Sequence, residues 1–407
     1  MLVDPKEFNK SPSGILIPTV LGQKAFIPNP LPPRISLEDC MLELDRASRA
    51  MAELKGMSYK VTNPMHLINP LQQREAIASS SIEGTYTTAS ELLLFDESRG
   101  SAKADPDTRE VRNYVLALQE GLKLLEKLPI SSRLIKEVHA VLLRGVKRHR
   151  GAETTPGEFK REQNFIGSWA RGIDQARFVP PPPNLTPELM SDLEKFINSE
   201  DAGKLPPILV NALVHYQFET IHPFPDGNGR VGRLLLPLML HANRLMDLPL
   251  LYVSPFIEKH KDEYNDAMLE VSRTGAWETW IRFFARAVEM SAIDTMHKID
   301  QIAELKKEFL YEVQQARTSG LLPALIDLVF DRLMISIPEA AQELDVTYRA
   351  AKQNVEKLVA LGILEEMIVQ IRPRQFVCQP LVHLIFEVEV HDSSEAAGRH
   401  ETDGQPT

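Results

Sequence analysis

Residues 221–233 read IHPFPDGNGRVGR, with one His, one Asp, one Asn, three Gly and two Arg in thirteen positions, entered and left by strongly apolar sequence. Any fold of this chain must first accommodate that turn. Upstream, Ile208, Leu209, Ala212, Leu213 and Tyr216 predict a helix that buries this face and ends at His222. Downstream, RVGRLLLPLML predicts a second helix that begins near Asn228 and Gly229. The loop Pro223–Gly227 therefore runs straight into a helix N-terminus. Free backbone N–H groups and the positive end of the helix dipole favour an anion there.

The side chains suit the same chemistry. Gly227, Gly229 and Gly232 let the backbone approach a phosphate closely. Arg230 and Arg233 are three apart, hence on one helix face, and can grip two phosphate groups. Asp226 offers a hard oxygen for Mg²⁺ shared with a di- or triphosphate. His222 titrates near neutrality and can take a proton from a hydroxyl. Each feature alone is more often structural than functional. All of them within one turn are the parts of a phosphoryl- or nucleotidyl-transfer site. No GxxxxGK[ST] occurs, so the pattern is not that of a Walker-type ATPase.

The chain has 407 residues, which suggests two or three domains. A net charge of −10 argues against a protein whose main task is coating nucleic acid, though a local basic patch remains compatible with it. Cys40 and Cys378 form no metal-ligand pattern and read as free, buried thiols of a cytoplasmic protein. The N-terminus has no apolar signal-peptide region, and no apolar run approaches the about 18 residues of a membrane span.

Residues 1–100 read as a Pro- and Gly-rich extended arm to about residue 36, then helices. Ser36 is the expected cap of the first, and Gly84 ends the second. Within 101–300, helices are expected at about 108–127, 131–145, 186–198, 206–221, 228–244, 255–272 and from 276 to 313. Between the second and third of these, residues 156–183 read as a β-hairpin or flap around Phe165–Ile166 and Phe178–Val179. A linker helix over 301–319 leads to a module at 320–391 that reads helix, turn, helix and two-stranded wing, hence winged-helix-like. Residues 392–407 lack apolar groups and are expected to be disordered. The expected class is mainly α.

HPFPDGNGR resembles the signature of the Fic family, H-x-F-x-[DE]-G-N-[GK]-R, with every defined position filled and the frequent second Arg present as Arg233. The resemblance extends over most of 37–300 and implies an all-helical Fic core with a small β-hairpin flap. It implies transfer of AMP from ATP to a Ser, Thr or Tyr hydroxyl of a target protein, with His222 as the base and Asp226 on Mg²⁺. By the same resemblance the nucleotide site comprises Asp226, Gly227, Asn228, Gly229, Arg230, Val231, Gly232 and Arg233, while Phe224 anchors the loop. Tyr264 and Asn265 fall where the family often has two tyrosines near the adenine. Flap residues Asn164, Phe165, Ile166 and Gly167 border the nucleotide and pin the target by strand addition.

Upstream, SSSIEG fits the related pattern [ST]-x-x-x-E-[GN] through Ser79, Glu83 and Gly84. A carboxylate beside Arg233 would form a charge-assisted pair and keep that Arg from the γ-phosphate, so Glu83 is expected to be inhibitory. Expected partners are ATP and a hydroxyl-bearing protein, with no membrane. Homodimer formation stays open, and DNA contact through the C-terminal module is the lesser reading. The alternatives to AMP transfer are de-AMPylation or another phosphoryl or nucleotidyl transfer at the same site, and a nucleotide-sensing DNA-binding regulator.

Overall fold

The computed structural model describes residues 5–8, 10–20, 22–59, 63–95, 105–146, 155–167, 172–173, 176–315, 320–367 and 372–387. The N-terminal segment folds back on itself instead of lying extended. After a single 3-10 turn at Pro5–Phe8, strands β1 (Gly14–Pro18) and β2 (Lys24–Pro28) pair antiparallel with Leu16 opposite Phe26. Each strand ends in a proline, where a missing N–H costs no ladder bond. Phe8, Phe26 and Phe178 pack in a cluster separate from the main core, and the Phe26 N–H donates to the Val179 carbonyl at 2.9 Å. The hairpin thus braces the flap. The flap itself is one antiparallel bridge, Ile166 with Phe178; residues 168–171 and 174–175 lie outside the described set.

Helices follow in chain order: α1 (Met41–Ser58), α2 (Met65–Ile82), α3 (Ala89–Leu94), α4 (Pro106–Leu125), α5 (Ser132–Leu142), α6 (Thr186–Ile197), a single turn α7 (Glu200–Gly203), α8 (Pro207–Ile221), α9 (Asn228–Ala242), α10 (Ser254–Lys259), α11 (Lys261–Thr274) and α12 (Trp277–Gln315). The fold is mainly α, as expected. Ser36 does not cap α1: it accepts from the Glu38 N–H at 3.4 Å, ahead of a short 3-10 turn at Glu38–Cys40. The unanticipated α3 is set by a capping box, Thr88 with Glu91.

α8 is buried on every side, with all its residues from Ile208 to Ile221 shielded from solvent. It lies among α6, α9 and α12, while α9 also packs on α4 and α1 runs along α12. A helix without a solvated face must sit at the centre. That puts the turn between α8 and α9 inside the protein. α12 is 39 residues long and crosses 300/301 without a break.

The C-terminal part comprises α13 (Leu322–Arg332), β3 (Met334–Ser336), α14 (Ile337–Glu343), α15 (Tyr348–Ala360), β4 (Glu365–Glu366), β5 (Gln375–Val377) and α16 (Gln379–Phe386). Its antiparallel strands lie in the order β3, β5, β4. α13 and α16 each pack on both α2 and α12, and their apolar side chains join the main core. Asn69 on α2 donates to Asp331 at 2.8 Å, and Arg74 pairs with Asp294 at 2.5 Å and Glu387 at 3.4 Å. Cys40 and Cys378 are buried and free. No described helix is long and apolar enough to cross a membrane. The tail at 392–407, expected to be disordered, lies outside the described residues.

Because the N-terminal hairpin holds the flap through one apolar cluster and one backbone bond, Phe26→Ala should loosen the flap selectively. Hydrogen exchange should show faster exchange of the Ile166 and Phe178 amides, with amides of α8 unchanged. Equal protection of Ile166 and Phe178 in both proteins would mean that the hairpin does not brace the flap.

Candidate active site

α8 stops at His222, whose backbone is left-handed (φ 49°, ψ 61°). A residue other than glycine held in such a region costs about 1–3 kcal/mol and persists only where its surroundings impose it. Here they do. The His222 N–H bonds to the Phe218 carbonyl at 2.9 Å. Asn164 Nδ2 donates to the carbonyls of His222 and Phe224, both at 3.0 Å. Lys160 fixes that amide by donating from Nζ to Asn164 Oδ1 at 2.8 Å and to the Ile221 carbonyl at 3.1 Å. The Phe224 ring is fully buried and stacks on His139 at 3.7 Å.

The His222 ring turns Nδ1 toward the Glu219 carbonyl at 3.2 Å. A carbonyl only accepts, so Nδ1 carries the hydrogen and Nε2 keeps its lone pair. Burial, assisted by the Lys160 cation, lowers the His222 pKa to about 4. At neutral pH the ring is therefore a free base.

Across the cavity lies Arg233, 1% exposed. Its Nε donates to Ser79 Oγ, and its Nη2 donates to the Ser79 carbonyl and to Glu83 Oε1, all at 2.8 Å. Burial alone would raise the Glu83 carboxyl, but the Arg233 charge and hydrogen bond outweigh it and hold the carboxyl below its ordinary range. The end of α2 is further held by Lys261, which donates to the Ile82 carbonyl. A Cβ on Gly229 would stand 2.1 Å from Glu83 Oε1, so this glycine is what lets a carboxylate lie against the start of α9.

The structure brings only part of the expected set to the cavity. His222, Glu83, Gly229, Arg233, Tyr264, Asn265 and Ile166 line it. Arg230 does not share a site with Arg233: it is buried, paired with Glu110 on α4 and 3.6 Å from Asp226. A buried guanidinium turns to the nearest buried carboxylate, and for Arg230 that is Glu110. Val231 is wholly in the apolar core. Asn228 spends its side chain on the loop, accepting from the Phe224 N–H and donating to the Phe224 carbonyl, both at 2.8 Å. Asn164 clamps the loop, and Phe165 and Gly167 are off the cavity lining. Gly227 takes φ 79° as the residue before α9. The Tyr264 hydroxyl meets His215 Nε2 at 2.8 Å, and His215 Nδ1 faces the Gly232 carbonyl at 3.1 Å.

Asp226 Oδ1 accepts from the Gly227 N–H at 2.7 Å, and its side chain is 24% exposed. No cluster of three metal-binding side chains exists among the described residues. A single, partly exposed carboxylate beside the N-terminus of α9 fits the demands of Mg²⁺, which keeps several waters and takes its other ligands from phosphates.

Sequence reading missed Lys160, His139 and Glu219. Glu219 lines the cavity, and its Oε1 has no hydrogen-bond partner. It lies where a Cβ on Gly232 would stand 2.1 Å away. Burial pushes its carboxyl up to about 8. The available signal was Glu219 as the one acidic residue of the helix that leads to His222, one turn before it.

A neutral histidine at a helix end, a glycine-rich helix N-terminus and a buried arginine thus meet around one cavity of a mainly helical domain. Residues 41–123 match the Fic/DOC family N-terminal model and 129–240 the Fic/DOC family model; this segment belongs to the Fic family. The chain is 30% identical over 217 residues to the protein adenylyltransferase Fic of Drosophila melanogaster and to that of Drosophila grimshawi, over 52% of this chain and 39% and 40% of theirs. It thus spans about two-fifths of those relatives' length. Among solved structures, a Fic family protein from Desulfovibrio desulfuricans aligns over 86% of this chain and 98% of its own, with a TM-score of 0.55 and 18% identity. A Fic-1 fragment from C. elegans aligns over 64% and 74%, with a TM-score of 0.50 and 20% identity.

The Glu83 carboxyl is depressed in the folded state, so its contribution to stability is present above the ordinary carboxylate range and is lost as pH falls through it. Glu83→Gln should cost about 1–3 kcal/mol at pH 7 and should flatten the decline of stability between about pH 6 and 3. Urea unfolding at a series of pH values measures both. Superimposable pH curves would remove the ion pair from the stability of the site.

Proposed function

We propose that this chain is a protein adenylyltransferase that moves AMP from ATP to a Ser, Thr or Tyr hydroxyl of a target protein and of itself, held in check by Glu83. The observation that carries the reading is the buried Arg233 guanidinium, clasped by Ser79 and Glu83 of α2 on the wall of the cavity that holds His222. The names of the relatives point to the same activity.

In this mechanism the free Nε2 of His222 takes the proton of the target hydroxyl. The oxygen attacks the α-phosphorus, the bond from that phosphorus to the bridging oxygen breaks, and pyrophosphate leaves with the electron pair. The N–H groups at the start of α9 bind the phosphates. Arg233, once freed, holds the outer phosphate and turns the α-phosphate toward the hydroxyl. Asp226 would hold Mg²⁺, which supplies charge neutralisation on the phosphates. Tyr264, Asn265 and Ile166 border the nucleoside, and the flap edge at 164–167 receives the target as an added strand.

We take 101–300 as the catalytic core, 1–100 as the segment that bears the inhibitory helix, and 301–319 as the linker. We further take 320–391 as a winged-helix-like module and the protein as a cytoplasmic enzyme. Two of its cations are already paired, Lys352 with Glu356 at 3.6 Å and Arg374 with Glu366 at 3.1 Å. That favours docking to protein over DNA, and homodimer formation would be one form of it.

The test is auto-modification, which needs no target protein. Glu83→Gly should label itself with AMP from tagged ATP far faster than wild type. Adding Arg233→Ala or His222→Ala should cancel the gain, His222→Ala by about 10²–10⁴-fold. Mass spectrometry reads the adduct. Equal labelling of wild type and Glu83→Gly would end the autoinhibition reading.

The metal assignment has its own readout. In the Glu83→Gly chain, calorimetric titration should show that Mg²⁺ strengthens ATP binding and that Asp226→Ala removes this gain while leaving metal-free affinity in place. An Mg²⁺ effect of the same size in Asp226→Ala would assign the ion elsewhere.

A further inference from the structure

The cavity has a polar end and an apolar end. At the polar end are the start of α9, Arg233, Glu83 and His222; at the other are Ile166, Phe178, Met268 and Leu269. With phosphates bound at the first, a nucleoside extends into the second, where apolar walls suit a flat base. Most polar groups there are already engaged. The Tyr264 hydroxyl meets His215 at 2.8 Å, Ser272 Oγ meets the Tyr216 hydroxyl at 2.8 Å, and Arg177 pairs with Asp266. Glu219 differs. It is 8% exposed, lines the cavity, and its Oε1 has no partner.

We propose that Glu219 reads the base: its carboxyl pairs with the edge of adenine, accepting from the 6-amino group and donating to N1. The inference rests on the adenylyltransferase reading above and deepens it by naming a residue that selects the nucleotide. A buried carboxyl without a partner is costly unless a ligand completes its hydrogen bonds. The adenine edge offers one donor and one acceptor side by side, which is the complement of a protonated carboxyl. Burial raises the Glu219 carboxyl to about 8, so it holds its proton at neutral pH. An ionised carboxylate could only accept, and would face the N1 lone pair with its own. Gly232 serves the arrangement, since any side chain there would displace Oε1.

The experiment compares ATP with 1-deazaadenosine triphosphate, which carries C–H in place of N1, by calorimetric titration at pH 7 and pH 9. The Glu83→Gly chain is the parent, because its phosphate site is open. The parent should prefer ATP by about 3- to 10-fold at pH 7 and lose most of that preference at pH 9, where the carboxyl is ionised. Glu219→Gln presents a donor and an acceptor that do not titrate, so it should keep the preference at both pH values. Glu219→Leu should have none at either. Arg233, His222, His215 and Tyr264 also surround the group, but all are unchanged in the Gln variant. A pH effect that disappears there therefore belongs to Glu219. Full preference in Glu219→Leu, loss of preference in Glu219→Gln, or a preference in the parent that does not change between pH 7 and 9 would each overturn the proposal. A parent that binds neither nucleotide would overturn the adenylyltransferase reading itself; one that binds both equally at pH 7 would overturn only the role of Glu219.

Discussion

A guanidinium with 1% of its surface exposed has to be satisfied by its neighbours, and the placement of α2 follows from how Arg233 meets that demand. Ser79 supplies a hydroxyl and a carbonyl, and one turn later Glu83 supplies a carboxylate. Three hydrogen bonds from one side chain fix both the rotation of α2 and the depth of its end. Lys261 then occupies the carbonyl of Ile82. The cavity is shaped by this arrangement: its wall is the end of α2, and its polar end is the space between Glu83, Gly229 and His222.

Charge inside the cavity is divided sharply. His222 and Glu219 are neutral at pH 7 because burial disfavours their charged forms, lowering the one to about 4 and raising the other to about 8. Glu83 and Arg233 stay charged because each has the other. Environment alone separates two carboxylates into an ionised and a neutral one. The same low dielectric that makes an unpaired charge expensive keeps His222 in its basic form without a carboxylate behind its ring.

Much of this could be read from the sequence. The turn from Ile221 to Arg233 places its histidine, glycines and arginines by short-range rules, and the apolar helices around it left little choice of architecture. What could not be read depended on partners far along the chain. Arg230 and Arg233 are equivalent by spacing; Glu110 captures one and Glu83 the other. Asn164 lies in a segment that reads as a flap, and its role appears only when His222 and Phe224 are brought beside it. The hairpin of β1 and β2 was hidden because prolines that end strands also occur in extended arms.

That hairpin decides which side of the flap is covered. Neighbouring residues of an extended segment send their backbone groups to opposite sides. Phe178 is bonded to Ile166 on one side, and Val179 is bonded to Phe26 on the other. The return segment is therefore an interior strand in all but length. Any further strand would have to join on the 164–167 side, where the Asn164 carbonyl already accepts from Gln163 Nε2 at 3.0 Å.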